Sequence, residues 1–134
     1  MGDNMASGSD EATAPTVLIA EDEAMLRFVA VETLSDAGFR VFDAGDGNAG
    51  LKILESDATI DLLVCDVKMP GLNGYQLAEA GLALRPGLKV VLMTGYAQEP
   101  IPEKIKQAGA RVIYKPFDFD VLTSLALELV AERQ

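Results

Sequence analysis

Five short apolar runs alternate with five amphipathic stretches along almost the whole sequence, and this alternation limits the fold more than any other feature. "TVLIA" (Thr16 to Ala20), "RVFDA" (Arg40 to Ala44), "DLLVC" (Asp61 to Cys65), "KVVLMT" (Lys89 to Thr94) and "RVIY" (Arg111 to Tyr114) are rich in β-branched or large apolar residues and bounded by Gly, Pro or Asp. They read as strands. Between the first two, Leu26, Val29, Ala30, Thr33, Leu34 and Ala37 recur at helical spacing, with Gly38 placed as a C-terminal cap. Further helices fit Asn48 to Glu55, Gly74 to Ala83, Ile101 to Ala108 and Asp118 to Glu132. In the last, Asp118 is the N-cap, and Phe119, Leu122, Leu125, Ala126 and Leu129 form one stripe.

Strands alternating with helices imply right-handed crossovers and a parallel sheet covered on both faces. Strands that are apolar throughout agree, because each is buried on both sides. The expected architecture is an α/β, doubly wound, five-stranded parallel sheet of order 2-1-3-4-5. Strands one and three are then neighbours, and ligands bind at their carboxyl ends.

That edge carries the candidate chemistry. "IAEDE" puts Glu21 and Asp22 after strand one, and Asp66 stands where "DLLVC" stops, before a Pro-Gly turn. Two unit charges ~5 Å apart in an effective dielectric of ~20 repel by roughly 3 kcal/mol. A divalent cation relieves that cost, and Mg²⁺ favours a few carboxylates with water and a phosphate oxygen. Thr94, with the small Gly95 beside it, ends strand four, and Lys115 follows strand five. A hydroxyl, an ammonium, an acid cluster and a carboxylate between them suit a phosphoryl group, and an Asp carboxylate is a competent nucleophile toward phosphorus. Taken singly, each has a plainer reading. Asp66 could be a cap, Thr94 a strand-end hydroxyl, Lys115 a solvated cation, and Glu21 and Asp22 first-turn acids. Four such coincidences at one sheet edge are less economical than one site.

The order of "EDE", "CDVKMPGLNG", "MTGYA" and "YKPF" resembles the receiver domain of two-component response regulators, of flavodoxin-like fold, from Thr16 to Glu132. The resemblance implies that Asp66 accepts a phosphoryl group from a phosphohistidine on a histidine kinase or histidine phosphotransfer protein. It implies Mg²⁺, with Mn²⁺ as a substitute, bound by Asp22, Asp66 and the backbone carbonyl of Lys68, with Glu21 acting through water. It makes Thr94 and Lys115 the phosphoryl-binding switch residues and the Lys115–Pro116 bond cis. Lys68 and Tyr96 fall at the positions that tune phosphate lifetime. The sequence departs from the common pattern at Val112, where many receivers carry a switch aromatic; Tyr96 and Tyr114 are the nearby aromatics. Pro100 and Pro102 should shorten the fourth helix.

Other classes fit less well. A net charge of −10 disfavours a nucleic-acid interface, and no apolar run reaches membrane-span length. The lone Cys65, in an apolar run, reads as a core residue of a cytoplasmic protein. Residues 1–14 read as a disordered leader or expression remnant, and residues 15–134 as the domain. "GDGNAG" (Gly45 to Gly50) matches a dinucleotide-binding fingerprint, but it follows strand two, away from the expected binding edge, so its glycines read as helix-entry turn residues. A Mg²⁺-dependent phosphohydrolase would want a second acid two residues after its nucleophile, where this sequence has Lys68. The remaining alternative is a receiver-like module that binds partners without phosphorylation. The methionines read as core filler or leader. With no histidine in the chain, the donor must be another protein or domain. With no output domain visible, output is expected through protein contact, by a free single-domain regulator or by the receiver of a hybrid kinase.

Overall fold

The computed structural model describes residues 14–56, 58–95 and 100–132. Ten elements alternate in the order β1 (Thr16–Ala20), α1 (Ala24–Asp36), β2 (Arg40–Ala44), α2 (Gly47–Glu55), β3 (Leu62–Asp66), α3 (Gly74–Leu84), β4 (Lys89–Thr94), α4 (Glu103–Gln107), β5 (Arg111–Tyr114) and α5 (Phe119–Ala131). The strands form one parallel sheet of order β2-β1-β3-β4-β5. Topology and fold class are those read from the sequence.

Alternation along the strands divides the core into two layers. Val17, Ile19, Leu62, Val64, Val91 and Met93 point to one face, where Ala30 and Leu34 of α1 and Leu122, Leu125, Ala126 and Leu129 of α5 cover them. Leu18, Ala20, Leu63, Cys65, Val90 and Leu92 point to the other, against Leu54 of α2, Leu77 and Ala78 of α3 and Ile105 of α4. Cys65 is fully buried, and that burial pushes its thiol pKa up, so it is a core residue rather than a reactive one. Met25 is a correction: it lies in α1 yet is 70% exposed, because its position falls off the buried stripe.

Boundaries follow local chemistry. Asp46 caps α2 by accepting from the Ala49 N–H, and Asp118 caps α5 by accepting from the Asp120 N–H. Gly38, at φ +102°, turns the chain out of α1. β3 lies one residue later than the apolar run suggests. Asp61 stands at its entrance, where its carboxylate accepts from the Thr16 N–H and ties it to the start of β1. Asp66 is the last residue of the strand itself.

Candidate active site at the carboxyl edge

Glu21 follows β1 directly. Its N–H donates to the Ala44 carbonyl at 3.0 Å, which extends the β1–β2 ladder, while its Oε2 accepts from the Glu23 N–H at 2.9 Å. The side chain is 1% exposed. Asp22, next in the chain, is exposed. Asp66 is buried, and its Oδ1 accepts from the Lys68 N–H at 3.2 Å. One carboxylate oxygen from each of Glu21, Asp22 and Asp66 lies within 4.8 Å of the others.

Lys115 reaches this cluster from beyond β5. Its Nζ donates to Asp66 Oδ2 at 2.7 Å and to Glu21 Oε1 at 3.3 Å. The Lys115 backbone N–H donates to the Thr94 carbonyl at 2.8 Å, so β4 fixes where the side chain starts, and the Lys115–Pro116 peptide is cis. Burial disfavours the ammonium, but the hydrogen bond to Asp66 and the charges of Asp66 and Glu21 outweigh it and raise the Lys115 pKa. Glu21 also has a raised pKa, which for a carboxylate means that its charged form is disfavoured. Burial and the Asp66 charge raise its pKa to about 7, against lowering by the Glu23 N–H and Lys115.

The remaining predicted residues sit around this centre. Thr94 is buried at the end of β4, beside a small apolar cavity lined by Val67, Tyr75, Leu92, Ile101, Val112 and Tyr114. Val112 is therefore one wall of that cavity. Lys68 is exposed on the rim of an open depression with Asp22, Met69, Pro70, Asn73 and Tyr75. Tyr96 lies outside the described residues. Gly95 follows Thr94 directly and is exposed.

The glycines of "GDGNAG" are explained by neighbouring protein rather than by a cofactor. A Cβ on Gly47 would stand 2.1 Å from the Leu72 carbonyl oxygen, so the loop after β3 rests directly on the start of α2. Gly71, at φ +73°, meets Asn48 in the same contact. Gly74 does the corresponding job for α3, where a Cβ would fall 2.4 Å from the Asp66 carbonyl oxygen. Sequence reasoning missed this role, and also the Asn73–Gln76 capping box that starts α3, although the N-x-x-Q spacing is a readable signal.

The description "Response regulator receiver domain" belongs to the family whose sequence model matches residues 17–127. The chain is a member of that family. The receiver is 35% identical over 127 residues to the transcriptional regulatory protein PdtaR of Mycobacterium tuberculosis, covering 93% of this chain and 60% of PdtaR, so it spans less than two thirds of that relative. Among solved structures, a response regulator receiver protein from Sinorhizobium medicae superposes with a TM-score of 0.80 at 29% identity, covering 92% of this chain and 99% of that one. The response regulator TrrA of Thermotoga maritima, solved in complex with Mg²⁺-BeF, gives a TM-score of 0.75 at 26% identity, covering 86% of this chain and 98% of that one. Membership makes the chain a receiver domain of the two-component signalling kind. No described helix is long and apolar enough to cross a membrane.

Proposed function

We propose that this receiver accepts a phosphoryl group on Asp66 from a phosphohistidine of a histidine kinase or histidine phosphotransfer protein. The observation that carries the reading is the Lys115 ammonium bridging Asp66 at 2.7 Å and Glu21 at 3.3 Å inside a three-carboxylate cluster. An Asp66 oxygen attacks phosphorus, the bond from phosphorus to the imidazole nitrogen breaks, and the electron pair leaves with the imidazole. Lys115 already touches the carboxylate that would carry the group, so its ammonium needs little displacement to follow the phosphoryl oxygens. Thr94 supplies a hydroxyl from the neighbouring strand end.

The cluster fits a hard divalent cation. Its donors are carboxylate oxygens close enough to share one ion, and the repulsion among them is only partly offset by Lys115. Asp22, Asp66 and the Lys68 carbonyl would hold Mg²⁺, with Glu21 acting through water; Mn²⁺ satisfies the same donors. When bound, the ion neutralises charge on the transferring group. The Mg²⁺-BeF complex of TrrA supports this assignment by likeness.

Phosphorylation adds about −1.5 to −2 charge beside Lys115 and Thr94. The carboxyl ends of β3 and β4 and the segment after β5 meet there and would carry the change to a protein partner. Intact mass after incubation with acetyl phosphate and Mg²⁺ tests the reading. One hydroxylamine-labile phosphoryl group is expected, absent in Asp66→Asn and in EDTA. No mass gain by folded wild type would favour a module that binds partners without phosphorylation.

A further inference from the structure

Arg27 lies outside the set of site residues, yet it grips the arm that carries two of them. From the first turns of α1 its side chain turns back over the sheet edge, where Nη1 donates to the backbone carbonyl of Glu21 at 2.7 Å. Its Nε pairs with Asp43 Oδ2 of β2 at 3.2 Å. The guanidinium lies over Gly45, the first glycine of "GDGNAG", where a Cβ would come within 3.2 Å of Nη1. Three elements, α1, β2 and the turn after β2, thus fix one guanidinium against one carbonyl.

We infer that Arg27 is a positioning residue for the cation site: by holding the Glu21 carbonyl it sets the peptide that leads into Asp22. The inference rests on the function proposed above. The Glu21 C=O and the Asp22 N–H belong to one planar unit, so a bond to the carbonyl orients that plane and the start of the Asp22 side chain with it. The N–H on the other side of Glu21 is already tied to Ala44. Arg27 supplies the matching restraint at the carbonyl side, through a charge-assisted bond from a fork whose second arm is held by Asp43. The bland reading is a surface ion pair, because Asp43 is half exposed and such a pair contributes little. It accounts for neither the bond to the Glu21 carbonyl nor the absent side chain at Gly45.

The two readings differ in sign. By charge alone, a cation beside an acid cluster repels a metal ion, so its removal should tighten metal binding. Positioning demands the opposite. Mn²⁺ affinity, followed by loss of the free-ion electron paramagnetic resonance signal, is measured for wild type, Arg27→Met and Gly45→Ala, each well below its own melting temperature. Arg27→Met is expected to bind about tenfold more weakly, the lower end of what removing a supporting contact to a metal ligand costs. Gly45→Ala keeps every charge and only nudges the guanidinium, so a smaller weakening is expected. Unchanged or tighter binding by folded Arg27→Met overturns the inference while leaving the proposed function intact. If Arg27→Met does not fold, Gly45→Ala decides by the same criterion. Wild type that binds no Mn²⁺ overturns the proposed function and this inference together.

Discussion

α3 and α4 follow adjacent strands of one sheet, yet they are held in very different ways. α3 runs eleven residues, opens with a full capping box between Asn73 and Gln76, and buries Gly74, Leu77, Ala78 and Gly81. Its first residue packs on the Asp66 backbone, and the Gly74 N–H donates to the Val67 carbonyl at 2.9 Å. α4 runs five residues from Glu103, after an N-cap Pro102 that makes no side-chain cap bond, and buries only Ile105. The physical difference is the number of independent restraints per residue. A short helix with one buried anchor opens locally at small cost, whereas α3 opens only with the core. The helix next to Asp66 is therefore a fixed frame, and α4 is the yielding one. A switch that reads a charge at a fixed point needs both.

The sharpest way to break this contrast is Gly74→Val. The new side chain would meet backbone atoms of Asp66 and Val67 that have no room to yield, so a loss of about 3 kcal/mol or more is expected in urea denaturation. A smaller loss would show that the α3 frame is softer than described. Next in size is a pH effect across the acid cluster from that frame, where Glu21 leaves β1. Glu21 binds its proton more tightly folded, at about 7, than its ordinary value of 4.5. Its stabilising contribution is therefore present below pH 4.5, declines as pH rises and is gone above about 7, a change of order 3 kcal/mol in EDTA. Thermal melts across that window should show the decline, and Glu21→Gln should abolish it.

On the yielding side, Ile105→Ala should cost no more than about 1.5 kcal/mol globally, below the usual 2–5 for a buried aliphatic truncation. Hydrogen exchange should then accelerate in α4 while α3 and β4 keep their protection. A full-sized global loss would erase the distinction between the two helices. The smallest expected effect is Asn73→Ala, which removes the cap on α3 and should cost about 1 kcal/mol, read as a shift in denaturation midpoint.

β1, β3 and β4 were legible because they are buried on both faces and so read as nearly unbroken apolar runs, whereas the partly exposed edge strands β2 and β5 showed only in their β-branched and aromatic residues. Topology followed from chain order and the handedness of crossovers. Asp66, Glu21, Thr94 and Lys115 were legible for the same reason, since each stands where an apolar run ends. The supporting contacts were not. Nothing local marks Gly47 as the seat of the Leu72 carbonyl, because the partner lies 25 positions on in the chain. Nor does the sequence show Arg27 turning back to Glu21, since an exposed arginine of the same helix would look identical. Pro100 and Pro102 did foretell a short α4, and its five residues match a start delayed to Glu103.

The ties that Lys115 makes to Glu21 and Asp66 have a consequence for the newly made chain. They span 94 and 49 positions of sequence, and Lys115 itself is placed only once β5 has docked on β4. During synthesis the acids emerge long before the lysine, and no local fragment contains both. Under the proposed function the acceptor site is completed only when β5 docks, so a copy lacking that strand would not compete with finished ones for the donor's phosphate.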